Sequence, residues 1–278
     1  MPRSPIAITP GWALVMAMAM ACYSTPGTGA DGRAPARSAS AVPVLIYHEI
    51  GVHRTPPGPT AISVERFREE MDFLAAHEFT TLSVAQLVDF LGGRPVPERS
   101  VVLTFDDGWK SVEGALPLLK KHGFKATFFI ITGAADGRFG PDYLSWPQVE
   151  SLAHDPQFEI GSHSVTHPWD SANSFLTWCQ GKPAGKSIED VRSELHRSRE
   201  ALEAHLHKPI DYWAWPCGWT NEQLTAEARK AGYRVQLTTF EKPNVPGVSP
   251  SEIRRYFVDG TWDINAFARF LTTATHVP

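Results

Sequence analysis

The stretch Val101-Val102-Leu103-Thr104-Phe105-Asp106-Asp107-Gly108 sets five apolar or β-branched residues directly against two carboxylates. An uninterrupted run of that kind reads as a buried strand of a parallel sheet. Two adjacent acids at the end of such a strand are costly unless something compensates them, and a cation would do so. Asp-Asp-Gly alone also spells an ordinary turn, so its meaning has to come from the rest of the chain.

Outward from this stretch, short β-rich runs alternate with helical patterns. Strands are expected over residues 43–47, 101–105, 126–131, 158–163, 212–215, 234–239 and 254–258. Helices are expected over 64–77, where Phe67, Met71 and Leu74 recur at helical spacing, over 84–91 behind the cap Ser83, and over 114–122 ahead of Gly123. Further helices are expected over 146–152, 188–205, 222–231 and 264–272. This alternation predicts an α/β fold with about seven parallel strands, closed into a distorted (β/α) barrel. Active residues then belong at the C-terminal ends of the strands.

The composition, 42% hydrophobic and 20% charged, supports a sizeable core rather than global disorder. Net charge is -4, and no basic run interleaves with aromatics, which argues against a nucleic-acid partner. Residues 1–22 read as an export signal. Arg3 supplies the positive start, the apolar stretch 6–21 is too short for a membrane span, and Ala17-Met18-Ala19-Met20-Ala21 suits a cleavage site. Cys22 directly after Ala21 admits a lipid anchor, although Ala19 stands where a lipoprotein signal usually has Leu. Residues 23–41 have linker composition, and 42–278 form one domain. In an exported chain Cys179 and Cys217 admit either a disulfide or two free thiols.

Three strand ends carry polar groups. The first is the Asp106-Asp107 pair. The second is Gly161-Ser162-His163-Ser164-Val165-Thr166-His167-Pro168, in which two histidines four apart can converge on one ion. The third is Tyr212-Trp213-Ala214-Trp215-Pro216-Cys217-Gly218-Trp219, a sharp turn that can aim a backbone N–H into a cleft. One Asp and two His provide three ligands for a divalent ion and leave a position open for water, the pattern of a catalytic site. A second, adjacent Asp is then available as a base.

These motifs, with Val42-Pro43-Val44-Leu45-Ile46-Tyr47-His48 and Leu144-Ser145-Trp146-Pro147-Gln148, resemble the polysaccharide deacetylase (NodB-homology) superfamily of carbohydrate esterases over residues 42–271. The resemblance implies a general base at Asp106 and a metal held by Asp107, His163 and His167. Zinc is the first choice, with cobalt, nickel or manganese also compatible. It implies a backbone N–H oxyanion donor at Cys217, where the family usually has Tyr. Arg255 stands where one branch carries a late arginine, and is expected to steady Asp106; its neighbour Arg254 is an equal candidate. His48 and Trp215, at strand ends, are expected substrate contacts.

The family's usual final Leu-x-His motif is absent; His276 and His48 are the remaining histidines considered, and neither is assigned as the acid. The implied activity is hydrolysis of N-acetyl groups on an amino-sugar polysaccharide of poly-N-acetylglucosamine, chitin or peptidoglycan type. The alternatives are an O-acetyl xylan-type esterase and a catalytically silent carbohydrate-binding relative. Residues 169–186 form either a loop over the cleft or a solvated insertion.

Overall fold

The computed structural model describes residues 38–51 and 58–275. The proposed signal, Cys22, most of the linker and His276 lie outside them. The elements begin with β1 (Val44–Tyr47), β2 (Glu49–Ile50), β3 (Ala61–Ile62), α1 (Val64–Ala76), β4 (Thr80–Leu82) and α2 (Val84–Leu91). Next come β5 (Ser100–Phe105), α3 (Leu116–His122), β6 (Ala126–Ile130), α4 (Thr132–Ala135), α5 (Trp146–Ala153), β7 (Phe158–Ser162) and α6 (Phe175–Trp178). The chain continues through α7 (Ile188–Leu206), β8 (Tyr212–Ala214), α8 (Glu222–Lys230), β9 (Val235–Leu237), β10 (Tyr256–Phe257) and α9 (Ile264–Ala274).

Seven parallel strands in the order β10-β1-β5-β6-β7-β8-β9 curve into a half-barrel. β4 adds to the start of β5, along the edge whose far end is taken by β6. A single bridge, Leu237 to Ile253, joins β9 to the segment that leads into β10. That segment is broken because Asn244 takes the place of a strand partner. Its side chain accepts from the Arg254 N–H at 3.0 Å and donates to the Arg254 carbonyl at 2.8 Å.

Alternation along the strands explains the layers. In β5, Val101, Leu103 and Phe105 join the cluster that packs against the helices, whereas Val102 joins a second cluster with Val44, Phe129, Ala214 and Leu237. On the helix side, Tyr47, Phe105 and Phe128 stack across three neighbouring strands, with centroids 5.4 and 4.9 Å apart. Each of these offset ring pairs adds roughly 0.5–1.5 kcal/mol beyond burial. Helix starts follow local capping. Ser63 accepts from the Arg66 N–H, and Ser83 forms a capping box with Gln86. Gly123, at φ 67°, ends α3 in the left-handed conformation that suits glycine.

Candidate active site

Parity carries Asp106 inward. It continues the 102, 104 register of β5 and is 3% exposed. By the same parity Asp107 would face the helix layer, but its backbone turns through φ 70° and brings the carboxylate back into the cleft. A non-glycine residue held there carries strain of order 1–3 kcal/mol, which surrounding contacts must offset. His167 (φ 50°) and Cys217 (φ 55°) are held in the same left-handed region. Three of the groups at this cleft therefore depend on uncommon backbone geometry.

A cavity of about 390 Å³ is lined by Ile46, His48, Asp106, Asp107, His163, His167, Cys217, Thr239, Glu241 and Phe257. Within it one ligand atom each of Asp107, His163 and His167 lies within 4.8 Å of the others. Asp107 Oδ1 stands 3.4 Å from His163 Nε2 and 3.5 Å from His167 Nε2. Ligands about 2.0–2.1 Å from one tetrahedral ion stand about 3.4 Å apart. Asp107 Oδ1 is buried and has no hydrogen-bond partner among the described residues, although an orphaned buried acceptor is costly. The donor set therefore fits a divalent cation.

The surrounding contacts fix these atoms. The Trp109 indole donates to Asp107 Oδ2 at 2.9 Å, leaving Oδ1 for the cluster. His163 Nδ1 donates to the Ala214 carbonyl at 2.9 Å, which in the neutral ring leaves the lone pair on Nε2. Glu194, on α7, accepts from the Val165 and Thr166 N–H groups at 2.8 and 3.0 Å and from the Thr166 hydroxyl at 2.8 Å. It thereby ties down the turn between the two histidines. The sequence reading missed Glu194; its only signal was an acid interrupting the apolar stripe Val191, Leu195, Leu202. It also missed Trp109, Thr239, Glu241 and Phe257, which local patterns do not distinguish.

Arg255 is fully buried and meets Asp106 with two bonds, 2.7 and 2.8 Å long. It also donates to Thr104 Oγ1 at 3.2 Å and to the Thr238 carbonyl at 3.0 Å. Burial pushes the Asp106 pKa up, but Arg255 above all, then His163, pull it down, and the net result is below the ordinary carboxylate range. Arg254 instead aims at the Pro243 carbonyl, 3.5 Å away.

His48 lines the cavity beside Phe257, with ring centroids 5.3 Å apart. Cys217 lines it too, at the turn that follows β8. Trp215 does not line the cavity. Its side chain is fully buried, donates to Gln236 Oε1 at 3.1 Å and packs edge-on against Trp213, so the expected substrate contact is corrected to a core role. Cys179 and Cys217 are free thiols. Segment 169–186 is mostly exposed, but α6 anchors its middle, where Phe175 and Trp178 are buried in the core.

A parallel α/β half-barrel with a three-ligand cluster and a buried acid at its strand ends defines a class of candidate metal-site hydrolase folds. The sequence profile of the polysaccharide deacetylase family matches residues 93–236, just over half the chain, and the chain belongs to that family. It is 28% identical over 200 residues to a Bacillus subtilis (strain 168) protein provisionally named polysaccharide deacetylase YxkH, covering 71% of this chain and 64% of that one. It is 25% identical over 241 residues to the poly-β-1,6-N-acetyl-D-glucosamine N-deacetylase of Escherichia coli (strain K12), covering 77% of this chain and 36% of that one. The chain thus spans under two thirds of the length of both relatives. Among solved structures it is similar to IcaB from Ammonifex degensii, with TM-score 0.71, 25% identity, and coverage of 86% of this chain and 99% of that one.

Proposed function

We propose that this chain is an exported, metal-dependent N-deacetylase that releases acetate from an amino-sugar polysaccharide, with poly-β-1,6-N-acetylglucosamine the first polymer to test. The observation that carries this reading is the convergence of Asp107, His163 and His167 beside the buried Asp106 in one cavity. The names of the relatives supply the substrate class. Asp107, His163 and His167 would hold a divalent ion, zinc by first choice, whose Lewis acidity activates water and the acetyl carbonyl. Asp106, kept ionised by Arg255, takes a proton from the attacking water. The Cys217 N–H faces the oxyanion that forms as the carbonyl carbon becomes tetrahedral. His48 is the cavity imidazole outside the ligand trio, and we assign it the proton that the amine needs as the C–N bond breaks. The products are acetate and a free amine.

The test is acetate release from N-acetylglucosamine oligomers, with an O-acetylated xylan beside them. Asp106→Asn is expected to abolish turnover while retaining metal measured by elemental analysis, and His163→Ala to lose both. Full activity in Asp106→Asn would remove the base from this scheme.

A further inference from the structure

The cavity sits near the lower end of small-ligand sites, roughly 300–1,000 Å³, so it has room for about one sugar ring and not for a polymer. If the substrate is a polysaccharide, its neighbouring rings must lie on the surface around the mouth. Three large hydrophobic side chains are exposed among the described residues: Phe139, Trp169 and Phe240. Two of them adjoin residues that line this cavity. Trp169 is 69% exposed and follows His167 by two residues, and its carbonyl accepts from the Cys217 thiol at 3.6 Å. Phe240 is 58% exposed and sits between Thr239 and Glu241, both of which line the cavity.

The two are linked through the site itself. The Thr239 hydroxyl donates to the Cys217 carbonyl at 2.9 Å, so Trp169, Cys217, Thr239 and Phe240 form one continuous flank over the ends of β7, β8 and β9. Gly218 makes that approach possible. A Cβ there would stand 2.3 Å from the Thr239 nitrogen, and its φ of 71° also favours glycine. Phe139 faces Tyr143 at 6.2 Å, whereas neither Trp169 nor Phe240 stacks on another ring among the described residues. Scattered exposed apolar residues need no explanation, but a pair at the rim of a cleft is the form a binding surface takes. The axial C–H groups of a pyranose give it an apolar face that suits a flat ring.

We propose that Trp169 and Phe240 form a stacking rim that binds sugar rings flanking the one in the cavity, so that the chain selects polymer over monomer. This rests on the deacetylase reading for the reaction, but binding tests it separately. The experiment compares the parent chain with Trp169→Ala, Phe240→Ala, the double variant and Trp169→Phe on N-acetylglucosamine oligomers of one to six units. Acetate release and calorimetric binding are both measured.

In the parent, kcat/KM and affinity should rise with oligomer length. The alanine variants should flatten that rise, losing about tenfold on the hexamer mainly through KM, as the removal of uniform binding does; Trp169→Phe should restore part of it. Length-dependent binding without acetate release, flattened in the variants, would keep the rim and sink the deacetylase reading. A double variant with the parent's length dependence, or equal losses at every length, would overturn the rim. So would a parent whose binding is independent of length.

Discussion

Asp106 and Arg255 show how one ion pair can serve both fold and chemistry. Both are buried, and a buried pair that loses one partner costs about 3–5 kcal/mol. Arg255→Met should therefore lower thermal stability clearly and abolish turnover; Arg255→Lys, which cannot form the two-bond contact, should recover stability more than activity. Thermal melts and acetate assays separate the two. Glu194 acts one layer out. Glu194→Ala frees the N–H groups that fix the turn between His163 and His167, so metal affinity should fall roughly 10–100-fold while Asp106 stays in place. Competitive chelation measures this, and unchanged affinity would mean the turn holds itself. Cys217→Ser should stay within a few-fold of parent activity, because the proposed donor is the backbone N–H and not the thiol. Of these residues, Asp106, Asp107, His163 and His167 could be singled out from strand ends and spacing. Arg255 could not be separated from Arg254 by sequence, since the choice depends on which one points into the barrel.

At the scale of elements, α1 packs on β1 through a buried acid. Glu70, 2% exposed, accepts from the Tyr47 hydroxyl at 2.8 Å. Burial pushes its pKa up to about 8, outweighing the Tyr47 hydrogen bond and the Arg66 charge, with Glu69 adding slightly to the rise. The group keeps its proton in the fold where the unfolded chain would lose it. Its stabilising contribution is fully present below the unfolded value near 4.5 and is lost as pH rises toward about 8. Glu70→Gln should flatten this pH dependence and raise the melting temperature at pH 8 relative to the parent; parallel melting curves from pH 5 to 8 would contradict it. Long elements were legible because periodicity had room to repeat: α2 spans 84–91 as expected, and β5 begins one residue earlier than expected. The pair β2 and β3, the strand β4 and the four-residue helices α4 and α6 were not, because two to four residues carry no period. The end of the sheet was misread as five residues, since Asn244 replaces the ladder where sequence alone suggested a continuous strand.

Across the whole molecule, the barrel gathers groups from β1, β5, β7, β8, β9 and β10 at one set of strand ends. Nothing local in the chain announces that His48, Thr239, Glu241 and Phe257 share a cavity with the Asp and His motifs, because they meet only when the sheet curls. No described helix is long and apolar enough to cross a membrane; export and a Cys22 anchor remain proposals from residues 1–22. Cys22→Ser should shift the mature protein from a membrane fraction to the soluble one if the anchor operates, and leave the fractions unchanged if cleavage is ordinary. The most direct test of the central claim is acetate release from poly-β-1,6-N-acetylglucosamine oligomers by the purified chain, first stripped with a chelator and then given zinc. Release that disappears on stripping and returns with zinc is the predicted result. Equal release in both states, or none from fully metallated protein that binds the oligomers, would contradict it.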